Sequence, residues 1–255
     1  MKQKTVIVTG SSSGMGKYMA RKFAQEGANV VITGRNEEKL TRAKKEMEES
    51  ATGRILMVPM DVRKTEDVER LVSETVDTFG SIDYLVNNAA GNFICAAEDL
   101  SYNGWNSVID IVLNGTFYCS QAVGKYWIKN NIKGAILNMV ATYSWNAGAG
   151  VIHSSAAKAG VLNMTRTLAV EWGTKYGIRV NAIAPGPIER TGGAEVLFLS
   201  EEMAQRTVDS VPLKRLGKPE EIAQLAYFMF SDHATYMNGE VVTLDGGQWL
   251  NKFPF

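Results

Sequence analysis

The sequence has little that would mark a metal, disulfide, membrane or nucleic-acid protein. Among 255 residues there are only two cysteines and two histidines. Cys95 and Cys119 are too few for a disulfide framework, and neither they nor His153 and His233 have the spacing of a zinc site. The cysteines are expected to be small buried thiols in a reducing compartment. Lys and Arg number 27 and Asp and Glu number 27, so the formal net charge is zero. That argues against nucleic acid or an anionic membrane surface as the main partner and leaves any basic site local. No apolar run reaches the roughly 18 residues of a membrane span. The first strand-like run begins at Thr5, which leaves no room for a targeting segment, so a cytoplasmic location is expected.

What is present is alternation. Apolar runs at Thr5–Val8, Val30–Thr33, Ile55–Met60, Tyr84–Val86, Ala135–Val140, Val180–Ala184 and Val241–Leu244 predict strands. Between the early ones lie helical stretches, Met15–Gly27, Glu37–Ser50 and Glu66–Phe79, the last with Gly80 behind it. Such alternation predicts an α/β fold: a Rossmann-type doubly wound parallel sheet with helices on both faces. No repeat, linker or composition break divides the chain, so one domain over 1–255 is expected. The irregular, glycine-containing stretch after the Val180–Ala184 strand suggests a lid over 185–215.

The first strand runs into Thr9-Gly10-Ser11-Ser12-Ser13-Gly14-Met15-Gly16, which opens the first helix. Glycines there let the backbone approach a pyrophosphate, and the helix N-terminus offers amide donors and a favourable dipole. The strand–turn–helix context makes this a strong dinucleotide signal. An NAD enzyme should place a carboxylate at the end of the second strand. The chain has Thr33-Gly34-Arg35-Asn36 instead, and the Arg35 guanidinium suits a 2′-phosphate. NADP(H) is the expected cofactor.

With these motifs, and with Asp61-Val62, Asn87-Asn88-Ala89-Ala90-Gly91, Asn114, Lys158, Pro185-Gly186-Pro187-Ile188 and Asp245-Gly246-Gly247 in order along the chain, the sequence resembles the short-chain dehydrogenase/reductase family. The resemblance implies that Asp61 and Val62 frame the adenine, that Asn88, Ala89 and Ala90 support the cofactor, and that Lys158 binds the nicotinamide ribose. It also implies that the 185–188 segment contacts the nicotinamide side. Two catalytic positions depart from the family: Ser154 stands where the Tyr-x-x-x-Lys tyrosine belongs, and Ala141 where the catalytic serine belongs. An aliphatic hydroxyl is a far weaker acid than a phenol, and alanine donates nothing. The usual protonation of an alkoxide is therefore not supported.

Tyr143 lies just past the strand ending at Val140, where doubly wound sheets bind ligands, and Asn92 follows the Asn87–Gly91 strand end. Two donors at one carbonyl oxygen would make an oxyanion hole suited to an enolate. This pattern, with Asn88–Phe93, Asp110–Thr116, Ala169–Gly173 and Ser154-x-x-x-Lys158, resembles the 2,4-dienoyl-CoA reductase branch. The mitochondrial type of that branch implies Tyr143 and Asn92 on the thioester oxygen and Lys158 and Ser154 on the cofactor. It further implies Arg63, Phe93 and Ser101 on the acyl-CoA, with Asn114 in the catalytic set. The peroxisomal type has an aspartate where this chain has Val112 and lacks the tyrosine. Simpler roles exist for several of these: Tyr143 as a packing aromatic, Asn92 as a turn cap, Ser154 as the cap of the helix carrying Lys158, Arg63 as a solvated charge, His153 as packing or surface. Two rival functions stand beside the dienoyl-CoA one: an NADPH-dependent reductase of another activated alkene or carbonyl, and a non-catalytic NADP(H) sensor. The family also implies a homotetramer, and the apolar segment Asp245–Phe255, with Trp249, Phe253 and Phe255, would find a partner surface there.

Overall fold

A computed structural model of the chain describes residues 1–191 and 201–251. Seven strands, β1 (Thr5–Val8), β2 (Asn29–Gly34), β3 (Ile55–Pro59), β4 (Tyr84–Asn87), β5 (Ala135–Met139), β6 (Arg179–Pro185) and β7 (Val241–Leu244), form one sheet in the order β3-β2-β1-β4-β5-β6-β7. Every pairing is parallel. The expected architecture and all seven expected strands are present. The helices are α1 (Gly14–Gln25), α2 (Glu37–Glu48), α3 (Thr65–Phe79), α4 (Tyr102–Ile109), α5 (Gly115–Asn130), α6 (Ile152–Tyr176), α7 (Glu201–Ser210) and α8 (Pro219–Phe230).

The central strands are mostly apolar because both faces are covered, and the buried Asn87 of β4 donates to the buried Asn138 of β5 at 2.9 Å. Alternation along β1 sends Val6 and Val8 into one layer with Met19 and Phe23 of α1 and Ile222 and Phe230 of α8. Ile7 goes to the opposite layer, with Leu71 of α3, Val123 and Trp127 of α5 and Leu168 of α6. Trp127 is fully buried and its indole N–H donates to the Ile82 carbonyl at 2.7 Å, so the largest core side chain leaves no polar atom unpaired.

Local chemistry sets the helix ends. Asn36 caps α2 by accepting from the Lys39 N–H at 2.8 Å, with Glu37 and Glu38 in the first turn. Gly80, at φ 81°, ends α3 in the left-handed region. The run from α4 to α5 is interrupted by one π turn, Asp110–Asn114. There the Thr116 hydroxyl donates to the Val112 carbonyl at 2.6 Å, and Asn114 Nδ2 donates to Asp110 Oδ1 at 2.8 Å. Single π turns of this kind often mark functional sites.

From β1 the chain winds out through β2 to β3, then crosses back to β4 on the other side of β1. The carboxyl ends of β1 and β4 therefore flank the crevice in which doubly wound sheets bind ligands. Of the expected 185–215 lid, residues 192–200 lie outside the described residues, as do Phe253 and Phe255.

Candidate active site

The turn after β1 and the loop after β4 are locked together. Asn88 Nδ2 donates to the carbonyls of Thr9 and Gly10, both at 3.0 Å, and the N–H groups of Asn88 and Ala89 donate to Thr9 Oγ1 at 3.0 Å. Gly10, at φ 63°, allows this approach: a Cβ there would lie 2.8 Å from Ala89 Cα. The first turn of α1 then presents its amides with no side-chain cap and no acidic residue. The first turns of α2, α3, α7 and α8 all carry acids. An uncapped helix start lacking its own carboxylate fits a cofactor diphosphate, which brings the missing negative charge. Gly14 to Gly16 and the half-buried Ser12 and exposed Ser13 border this start. Ser11 differs. It is fully buried, its N–H donates to the Thr33 carbonyl at 2.9 Å, and its hydroxyl bonds the Val8 carbonyl and the Thr33 N–H. Neither its amide nor its hydroxyl remains for a ligand, so Ser11 ties β1 to β2 and is not a direct contact.

Arg35 is exposed at the end of β2. Its charge, with that of Arg63, holds the Asp61 carboxyl below the usual range; the larger cause is Arg63, which donates Nε to both Asp61 oxygens at 3.0 Å. The expected adenine contact and the expected acyl-CoA contact are thus partners of one ion pair. Val62 and Ile188 turn their side chains into the core, so any ligand contact from them is through backbone. Gly186 N–H donates to the Leu244 carbonyl at 3.0 Å, which ties the Pro185–Ile188 segment to the end of β7.

Three elements meet on the other side of the crevice. Tyr143 sits on the 3-10 turn Thr142–Ser144 beyond β5, and its hydroxyl lies 3.1 Å from Ser154 Oγ. Burial raises the Tyr143 phenol above its ordinary value, opposed by the Ser154 hydrogen bond, so it stays protonated and able to donate at neutral pH. Ser154 is buried in the first turn of α6, whose N-cap is Val151. Its expected role as helix cap does not hold; its own N–H is capped instead by His153 Nδ1 at 2.8 Å. Lys158, one turn on, is 7 % exposed, donates to the Met139 carbonyl, and is pulled down to about 8 by burial. Asn114 closes the π turn, which packs against α6: a Cβ on Gly160 would lie 2.9 Å from Leu113.

Asn92 is exposed in the loop after β4. Its neighbour Phe93 stacks edge-on against His153, with ring centroids 4.4 Å apart, so this loop borders the start of α6 where Tyr143 and Ser154 meet. Ser101 is the N-cap of α4, accepting from the Gly104 N–H at 3.0 Å. His153, expected as packing or surface, packs: it is fully buried and touches both Phe93 and the Ser154 amide. Only its adjacency to Ser154 signals this. Cys119 is buried as expected, whereas Cys95 is only partly so.

Comparison with known proteins completes the picture. The family model described as enoyl-(acyl carrier protein) reductase matches residues 10–248. A probable 2,4-dienoyl-CoA reductase, (2E)-enoyl-CoA-producing, of Bacillus subtilis (strain 168) is 62% identical over 255 residues, 100% of both chains. A peroxisomal 2,4-dienoyl-CoA reductase, (3E)-enoyl-CoA-producing, of Danio rerio is 40% identical, covering 99% of this chain and 83% of that one. The crystal structure of a short chain dehydrogenase from Bacillus anthracis, 65% identical, superposes with a TM-score of 0.91 over 99% of both chains.

Proposed function

The chain belongs to the short-chain dehydrogenase/reductase family, and from that membership we propose that it reduces 2,4-dienoyl-CoA to 3-enoyl-CoA with NADPH, in the β-oxidation of unsaturated fatty acids. One observation carries this reading. Position 154 holds no phenol, and the hydroxyl of Tyr143, on a different element, lies 3.1 Å from Ser154 Oγ. Two relatives named for dienoyl-CoA reduction support it. The whole of residues 1–255 acts as one catalytic domain, in the cytoplasm. Phe117 on α5 and Val170 on α6, 42% and 72% exposed, suit burial in a homotetramer.

The Gly10–Gly16 turn, Arg35 and Lys158 would hold NADPH, which when bound would supply a hydride to C5 of the diene. The residues manage the charge that follows. It moves through the conjugated system to the thioester oxygen, where Tyr143 and Asn92 donate hydrogen bonds. Lys158 holds the ribose and adds positive charge beside it. Ser154 accepts from or donates to the Tyr143 hydroxyl and keeps it aimed. Arg63, Phe93 and Ser101 contact the acyl-CoA. An acid held at the thioester oxygen lies nearer C2 than C4, so the proton is delivered to C2 and the product is the 3-enoyl thioester.

A second reading has one observation in its favour. The Bacillus subtilis relative is named as producing the (2E)-enoyl thioester, which requires protonation at C4. NADPH oxidation with a 2,4-dienoyl-CoA tests the reaction, and NMR of the product separates the two isomers. Absence of dienoyl-dependent NADPH oxidation, with NADPH still bound, would return the chain to the sensor reading. Turnover of 3-oxoacyl or other activated substrates in place of dienoyl-CoA would favour a different reductase.

A further inference from the structure

We propose that Trp145 and Trp249 form the surface on which the acyl tail lies, and that this pair sets the chain-length preference. The inference rests on the dienoyl-CoA reading above. Trp145 immediately follows the 3-10 turn that carries Tyr143. Its ring meets Trp249 edge-on, with centroids 5.8 Å apart and planes at 86°. Trp249 is not a loose terminal residue. Its N–H donates to Asp245 Oδ2 at 2.8 Å, and the Gly247 N–H donates to Asp245 Oδ1 at 2.8 Å. Gln248 Nε2 reaches Ser210 Oγ at the end of α7, again at 2.8 Å. The pair therefore bridges the catalytic turn beyond β5 to the turn beyond β7 and to α7.

Further exposed apolar side chains lie at Trp145 itself, on the loop after β4 and at the start of α6. Trp145 is 38% exposed, Ile152 46%, Phe93 37% and Ile94 53%. Ile94 lies against Gly150, where a Cβ would stand 3.1 Å from its Cγ2, and Phe93 stacks on His153. Exposed apolar side chains grouped beside a polar site mark a surface that a ligand covers. The sheet separates the two halves of such a ligand. Arg63 stands beyond the β3 end, at the opposite side of the strand order from β7. The CoA phosphates belong with that cation. A chain whose thioester is held at Tyr143 has its carbons beyond C5 leading away from the polar groups, and the indole pair begins two residues from Tyr143.

The test compares kcat/KM for 2,4-decadienoyl-CoA and 2,4-hexadienoyl-CoA in wild type, Trp145→Ala, Trp249→Ala and Trp249→Phe. The shorter substrate, which ends near C6, is the internal reference. Methylenes that reach apolar surface each add to binding, so the wild type favours the longer chain. Either alanine variant is expected to cut the long-to-short ratio by about tenfold, and Trp249→Phe to restore most of it. An unchanged ratio in Trp249→Ala overturns the proposal. Quenching of tryptophan emission by decanoyl-CoA, compared with hexanoyl-CoA, gives a readout free of turnover. Stronger quenching by the longer chain, lost in the double Trp145→Phe/Trp249→Phe variant, supports the tail surface even if no dienoyl-CoA is reduced, an outcome that sinks the reaction alone. Equal quenching by both chains overturns it.

Discussion

Replacing Tyr143 with phenylalanine removes one oxygen and little else. The ring keeps its packing on the turn beyond β5, and the partner of the lost hydroxyl, Ser154 Oγ at 3.1 Å, keeps the rest of α6 intact around it. Lys158 still donates to the Met139 carbonyl, and the Gly10 turn is still held by Asn88, so NADPH affinity should be unchanged. What disappears is one of two donors to the oxygen where charge collects. Loss of one such donor raises the barrier by about 3 kcal/mol, which is roughly a hundredfold in kcat. The assay is the fall in NADPH absorbance with 2,4-hexadienoyl-CoA, alongside NADPH binding by fluorescence and thermal melting. Ser154→Ala should cost less, because Ser154 orients the phenol without replacing it. The double variant should then lose no more than Tyr143→Phe alone, since the two act as one unit. Full dienoyl-CoA turnover by Tyr143→Phe would refute the oxyanion role. A matching loss of NADPH affinity would show that the substitution had disturbed the cofactor site instead.

Two further substitutions check other parts of the argument. Arg35→Ala should weaken NADPH by roughly tenfold while leaving NADH nearly unaffected, because only the 2′-phosphate needs the guanidinium; equal weakening of both, read by fluorescence titration, would remove Arg35 from the selectivity argument. Trp127→Ala empties a fully buried site and strands the Ile82 carbonyl, so denaturant unfolding should show a loss of about 3–5 kcal/mol; a loss under about 1 kcal/mol would mean that the layer collapses around the void.

Long apolar runs and glycine turns were legible because their causes are local. β1 to β7 are runs whose period and flanking glycines need no distant partner, and Thr9–Gly16 announces its strand–turn–helix context by itself. What depends on pairing across the fold was not. Ser11 sits inside the glycine-rich motif, yet its hydroxyl belongs to β2 through the Thr33 N–H. Asp61 and Arg63, which the resemblance gives to different ligands, are joined as an ion pair. The π turn at Asp110–Asn114 is a local departure from regular helix that hydrophobic periodicity does not register. Tyr143 is legible as the phenol at a strand end where position 154 is serine; its 3.1 Å approach to Ser154 depends on the fold.

Lys158 offers a test in which stability and activity move in opposite directions. Its amine is nearly buried and donates to the Met139 carbonyl, and burial lowers it from 10.5 to about 8. Below pH about 8 the amine is charged in both folded and unfolded chains, and the cost of burying that charge is fully present. Between about 8 and 10.5 the unfolded chain still holds the proton and the folded chain does not, so stability rises with pH across that window. The drop from 10.5 to about 8 corresponds to about 3 kcal/mol. Activity should do the reverse, because a ribose-binding lysine that has lost its proton no longer supplies positive charge: kcat/KM should fall as pH rises above about 8. Other lysines and tyrosines titrate in the same range, so the readout is the difference between wild type and Lys158→Met. The variant should be the more stable of the two at neutral pH, with the advantage shrinking as pH climbs, and its weakened kcat/KM should lack the alkaline limb. A stability difference that stays constant from pH 7 to 10 would mean that Lys158 is not held at a lowered value, and the positive charge assigned to it in catalysis would then persist well above pH 8.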